Sequence, residues 1–193
     1  MKNHQQKNVA VFASGNGTNA EKIFKHFTEH PLINISLLLT NNSNAPVIDR
    51  AKKHKIPVTI FDRSSFYETT DITEMLLSEN IDLIVLAGFM WLIPPSLVKA
   101  FPDKIINIHP ALLPKYGGKG MYGSYVHEAV IAAQEQESGI TIHFVNEKYD
   151  EGNIIFQKKC AIDPNETADS LATKIHKLEH TSYPQVIENL LLN

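Results

Sequence analysis

Apolar residues along this chain come in two alternating rhythms. Asn8–Ala13 (NVAVFA), Ile33–Thr40 (INISLLLT), Pro57–Phe61 (PVTIF), Ile81–Ala87 (IDLIVLA) and Lys104–His109 are short runs rich in β-branched and aliphatic residues, and each reads as a strand. Ile81–Ala87 is continuously apolar after Asp82, as strands covered on both faces tend to be. Stretches of helical period lie between them. Thr18 or Asn19 is expected to cap a helix carrying Ile23, Phe24 and Phe27 on one face. Pro46–His54, Asp71–Glu79 and Ser96–Phe101 supply three further helices. This alternation predicts an α/β, doubly wound fold with a mostly parallel sheet. Beyond the glycine-rich stretch Tyr116–Gly123 the rhythm changes. Val126–Gln136 reads as a helix, but Gly139–Val145 (GITIHFV) and Asn153–Ala161 (NIIFQKKCA) follow one another across a short link. That predicts an antiparallel C-terminal strand pair at the sheet edge. Asn165-Glu166-Thr167 then opens a long helix ending near Leu192, and residues 1–193 read as one domain.

Composition narrows the function classes. A chain of 193 residues with 43% hydrophobic and 20% charged residues can bury a large core in the ordinary way. A net charge of −3 argues against a dedicated partner of nucleic acid or anionic membrane. Cys160 is the only cysteine, so no internal disulfide can form, and a reducing compartment fits. MKNHQQKN lacks the apolar core of a secretion signal, and no apolar run reaches membrane-spanning length. The expectation is a cytoplasmic protein with small-molecule partners, monomer or homodimer.

Three segments carry candidate chemistry. Ser14-Gly15-Asn16-Gly17-Thr18-Asn19 joins the first strand to the first helix, where glycines let backbone approach an anion and the helix end offers free N–H groups. The Gly-Lys-Ser/Thr of a Walker loop is missing, and so are the third glycine and the acidic strand end of a dinucleotide fold. The loop suits one phosphate better than a pyrophosphate, and by itself leaves a plain structural turn equally open. Asn107 and His109 lie two apart at a strand end, so their side chains share a face. A ligand site and a hydrogen-bonded strand end both accommodate them. Asp150, in the link Tyr149-Asp150-Glu151-Gly152, is either a turn former or a carboxylate delivered toward His109, where it would raise the imidazole pKa and fix its orientation. No His-Glu-x-x-His, thiolate cluster or Gly-x-Ser-x-Gly elbow occurs, so neither a metal site nor a serine nucleophile is expected. The apolar loop Gly88–Pro94 would wall a flat heteroaromatic ligand if it stands at a strand's C-terminal end.

Taken together, SGNGTN (14–19), LAGFMWLIP (86–94), INIHPALLPKYGGKGMYG (106–123), GITIHFVNEKYDEGNIIFQ (139–157) and LEHTSYP (178–184) resemble, in that order, the folate-dependent glycinamide ribonucleotide (GAR) formyltransferases. Asn-x-His-Pro-x-Leu-Leu-Pro with a downstream Asp-x-Gly marks the wider group that uses 10-formyltetrahydrofolate. SGNGTN and the Glu-His of the terminal helix narrow it. The resemblance implies a formyltransferase-like fold and transfer of the formyl group of 10-formyltetrahydrofolate, as co-substrate, to the primary amine of GAR in purine synthesis. It implies Asn107, His109 and Asp150 as the catalytic trio. Gly17, Thr18 and Asn19 would hold the substrate phosphate, and Glu179 its ribose. Met90, Trp91, Leu92 and Ile93, with Asn107, would contact the folate. Trp91 stands where many members carry arginine, and Arg63, one place off another family arginine, is left outside the site. Methionyl-tRNA formyltransferases and formyltetrahydrofolate deformylases share the trio but are expected to carry an additional domain. The segment Tyr116–Gly123 reads equally as a flap and as a surface loop.

Overall fold

Each apolar run becomes a strand of one seven-stranded sheet in the computed structural model, which describes residues 6–193. The strands are β1 (Lys7–Phe12), β2 (Ile33–Thr40), β3 (Val58–Ile60), β4 (Ile81–Leu86), β5 (Ile105–His109), β6 (Glu137–Phe144) and β7 (Ile154–Ala161). The helices are α1 (Thr18–Phe27), α2 (Val47–Lys53), α3 (Arg63–Tyr67), α4 (Asp71–Ser78), α5 (Pro95–Ala100), α6 (Ser124–Ala132) and α7 (Ala168–Leu192). Strand order is β3-β2-β1-β4-β5-β6-β7. The first five strands are mutually parallel, and β6 runs antiparallel to both β5 and β7.

The alternation of side chains along the strands sorts the core into two layers. Val9 and Val11 of β1, Val85 of β4, Ile106 of β5 and Ile140 of β6 pack against α1 and α7. Ala10 and Phe12, Ile84 and Leu86, and Ile105 pack on the opposite face against Phe66 of α3, Leu76 of α4 and Leu97 of α5. A strand buried on both faces needs apolar residues at every position, which is why β4 reads IDLIVL. Parity then decides where the polar residues of β5 go. Asn107 and His109 share the face of Ile105, and β6 sets His143 opposite Asn107 and Thr141 opposite His109 on that same face.

β2 and β4 leave β1 on opposite sides, so the strand order reverses there and the loops after β1 and β4 part to leave a crevice. The long α7 is pinned beside it. Tyr183 is fully buried, and its hydroxyl donates to the carbonyls of Leu86 (3.0 Å) and Ile106 (3.3 Å), one turn beyond Glu179.

Two local features differ from the sequence expectation. α3 forms in a short polar stretch without helical period, because Asp62 and Ser65 cap it reciprocally: the Ser65 N–H donates to Asp62 Oδ1 at 2.9 Å and the Asp62 N–H to Ser65 Oγ at 3.2 Å. α1 is capped by neither Thr18 nor Asn19. Gly17 occupies the cap position in the left-handed region (φ 70°), and a Cβ there would collide with the Val47 side chain. Thr18 is therefore already helical, and the Asn19 side chain is engaged elsewhere. No helix among the described residues is long and apolar enough to cross a membrane.

Candidate functional site

A cavity of about 440 Å³ opens at the C-terminal ends of β1, β4 and β5. Every residue to which the family resemblance gives a role borders it: the Gly17–Asn19 turn, the Met90–Ile93 loop, Asn107, His109, Asp150 and Glu179.

One end is built by the loop before α1. The Val47 N–H donates to the Gly15 carbonyl (3.3 Å), and Arg50 grips Asn16 twice, through Nε to its carbonyl (2.7 Å) and Nη2 to Oδ1 (3.0 Å). The same guanidinium pairs with Glu21, so the loop is held in shape without a ligand. With no side-chain cap, the N–H groups of the first turn of α1 keep their donor capacity and the helix presents its positive end to the cavity. Asn19 Nδ2 instead donates to Glu179 Oε2 at 2.9 Å. Glu179 is only 5% exposed, and burial pushes its carboxyl up to about 7 against the single opposing hydrogen bond from Asn19.

The other end is built where β5 and β6 run side by side. Asp150 comes from the turn between β6 and β7, itself at φ 55°, and Gly152 makes that turn possible because a Cβ there would strike the Phe144 carbonyl. Asp150 Oδ1 lies 3.5 Å from both Asn107 Nδ2 and His143 Nε2. Oδ2 accepts the Gly118 N–H at 2.9 Å and faces His109 Nδ1 at 3.5 Å. His143 Nδ1 lies 2.8 Å from the Phe144 carbonyl, which only accepts, so this nitrogen carries a proton, and Nε2 lies 3.3 Å from Asn107 Nδ2. His109 Nε2 lies 2.7 Å from the Tyr116 carbonyl; a carbonyl only accepts, so this nitrogen carries the proton.

Burial alone would raise the Asp150 pKa, but hydrogen bonding to His143, the neighbouring His109 and the Gly118 N–H together hold it below the usual value. His109 feels Asp150 in the expected direction but is shifted the other way overall. Asp150 and the Tyr116 carbonyl do raise its pKa, yet desolvation of a ring this deeply buried outweighs them, and the net direction is down.

The wall between the two ends is aromatic. Trp91 packs against Phe61, Phe66, Tyr67 and Phe89, with ring centroids 5.8–6.4 Å apart. Tyr67 donates its hydroxyl to the Leu92 carbonyl (2.9 Å), and Ser14 Oγ accepts the Met90 N–H (3.0 Å). Ile93 is buried and Met90 is half open to solvent. Arg63, left out on sequence grounds, places its guanidinium over Tyr67 (5.0 Å) and Trp91 (5.8 Å), so a cation does stand at this loop.

Sequence reasoning passed over His143, His127, Arg50 and Tyr116. His143 carried a readable signal, since it alternates with Thr141 on one face of GITIHFV. His127, on α6, is buried at the cavity wall with Nδ1 unpartnered. Among the described residues no group of three or more His, Cys, Asp or Glu is placed to hold a metal ion.

Comparison with known proteins adds an independent view. The profile of the formyl transferase family matches residues 7–187. The chain is 41% identical over 191 residues to the phosphoribosylglycinamide formyltransferase of Bacillus subtilis, covering 96% of this chain and 95% of that one. It is 39% identical over 189 residues to the chloroplastic enzyme of that name from Arabidopsis thaliana, covering 95% of this chain but spanning only 65% of the relative's length. The crystal structure of the phosphoribosylglycinamide formyltransferase from Bacillus halodurans superposes with a TM-score of 0.86 at 38% identity, covering 97% of this chain and 96% of that one.

Proposed function

The chain belongs to the formyl transferase family, and from that membership we propose that it transfers the formyl group of 10-formyltetrahydrofolate to the primary amine of glycinamide ribonucleotide, a step of purine biosynthesis. It does so in the cytoplasm, as a single formyltransferase domain and as a monomer or homodimer. The observation that carries this reading is the two-ended cavity: an uncapped helix N-terminus with a buried carboxyl at one end, and Asn107, His109 and His143 gathered around Asp150 at the other.

The phosphate of the ribonucleotide takes the free N–H groups of Gly17, Thr18 and Asn19, where the helix dipole favours an anion. Glu179, one hydrogen bond away on Asn19, receives the ribose hydroxyls. The folate lies along Met90–Ile93, with its flat ring system against the aromatic wall. The amine then meets the formyl carbon at the β5 end. As the new carbon–nitrogen bond forms, the carbonyl electron pair moves onto oxygen; the intermediate collapses by expelling the folate nitrogen.

Asn107 Nδ2 and, in the doubly protonated ring, His109 Nδ1 fit the developing oxyanion as donors, and preorganised donors of this kind are typically worth about 3–4 kcal/mol each. Two protons must move: the attacking amine loses one and the departing nitrogen gains one. Asp150, held ionised, sits against His109 Nδ1 and favours the doubly protonated ring as a proton donor, while burial returns the ring readily to neutrality. No covalent enzyme intermediate is required.

Purified protein mixed with 10-formyltetrahydrofolate, with and without glycinamide ribonucleotide, tests the reading by release of the deformylated folate. Turnover that depends on the nucleotide and falls sharply in His109→Ala is expected. Folate release without nucleotide, or near-normal turnover in a folded His109→Ala protein, would overturn it.

A further inference from the structure

The His109–Asp150 pair does not stand by itself; one short backbone segment holds both partners. The Tyr116 carbonyl accepts the His109 Nε2 proton at 2.7 Å, and two residues on the Gly118 N–H donates to Asp150 at 2.9 Å. Tyr116 reaches His109 only by adopting φ 57°, a left-handed conformation that a residue with a side chain rarely takes unless its surroundings impose it. The other end of the same residue shows what imposes it. The Tyr116 hydroxyl donates to Glu135 Oε1 at 2.9 Å, just beyond the C-terminal end of α6, and Lys115 Nζ reaches the same oxygen at 2.8 Å. Tyr116 is thus tied at its carbonyl to the reacting centre and at its hydroxyl to a carboxylate outside it.

We propose that Tyr116 and Glu135 are positioning residues: the hydroxyl–carboxylate tether holds the Tyr116 carbonyl on Nε2 of His109, keeping the proton on that nitrogen and Nδ1 turned toward Asp150. The inference rests on the formyl-transfer reading for its consequence in turnover, though not for its geometry. The Tyr116 carbonyl is one of only two groups that oppose desolvation of the His109 ring; the other is Asp150. The titratable groups facing His109 are Asp150 from the β6–β7 turn, His143 from β6 and His127 from α6, and both histidines disfavour a charged ring. With the tether cut, the carbonyl is free to rotate away and the balance moves further toward neutral imidazole.

Tyr116→Phe keeps the backbone carbonyl and the ring while removing the tether, and Glu135→Ala removes it from the other side. Histidine nitrogen NMR of the ligand-free protein should show the His109 titration displaced downward by about half a pH unit or more in both. The alkaline limb of kcat, where a donor imidazolium is lost, should move to lower pH by a similar amount. Glu135→Gln, whose amide oxygen still accepts the hydroxyl proton, and Lys115→Met, which leaves the tether intact, should titrate like the parent protein. A purely structural tyrosine would lower the height of the pH profile without moving it. An unmoved His109 titration in folded Tyr116→Phe and Glu135→Ala overturns the proposal, whatever their turnover. A displaced titration in a protein that transfers no formyl group upholds the tether and removes the formyl-transfer reading instead.

Discussion

Two carboxyl groups share one cavity and are driven in opposite directions. Glu179 has a single hydrogen-bonding neighbour, the Asn19 amide, and burial pushes it up to about 7. Asp150 is partly buried, yet Asn107, His109, His143 and the Gly118 N–H surround it, and its pKa lies below the usual aspartate value. Burial sets the penalty for charge, while the number and sign of neighbouring donors decide whether it is overcome. The division suits the two tasks of the proposed function: a carboxyl that gains a proton near neutrality is compatible with a substrate phosphate nearby, and an ionised one is needed beside a proton-carrying imidazole.

Removing the Asp150 charge should have the largest effect. Asp150→Asn is expected to lower kcat by about 10²–10⁴-fold with little change in the nucleotide KM, measured by single-turnover formyl transfer. Asn107→Ala removes one oxyanion donor and should lower kcat by about 10²–10³-fold, leaving the pH profile in place because the amide does not titrate.

At the opposite end the effect belongs to stability. The folded pKa of Glu179 lies above its ordinary value of 4.5, so the folded protein holds the extra proton, and stability declines as pH rises from there through about 7. Glu179→Gln removes that penalty. Urea denaturation should show the variant more stable by at most about 3 kcal/mol near pH 8, and no gain near pH 4, together with weaker nucleotide binding. Asp150→Asn should do the reverse, since a depressed carboxyl contributes stability above its unfolded pKa that is lost as pH falls. Smallest of all is Arg50→Met, which frees Asn16 and should raise the nucleotide KM by about 3–10-fold with kcat preserved.

The fold was largely legible because hydrophobic periodicity is a local property that the sheet preserves. IDLIVLA announces a strand buried on both faces, and GITIHFV followed closely by NIIFQKKCA announces the change of direction at β6. α3 was not legible, since five residues are too few to display a period and its stability comes from the Asp62–Ser65 caps. The reacting end was half legible. Asn107 and His109 advertise themselves by spacing, whereas His143 becomes a neighbour only through the register of β5 with β6. Tyr116 meets His109 through its backbone carbonyl, and Arg50 reaches Asn16 and Glu21 from another helix, contacts that only the tertiary fold brings together. The effect of Asp150 on His109 has the sign inferred from the sequence, but the depth of burial that outweighs it is a tertiary quantity.

The opposed titrations of the two carboxyls can be read directly by carbon-13 NMR of the ligand-free protein labelled at the aspartate and glutamate side-chain carboxyls, with Asp150→Asn and Glu179→Gln assigning the two resonances. The Glu179 signal is expected to titrate near pH 7, and the Asp150 signal below its ordinary value of 3.8. Both signals titrating together in the ordinary carboxylate range, or Asp150 above Glu179, would contradict the division between the two ends of the cavity.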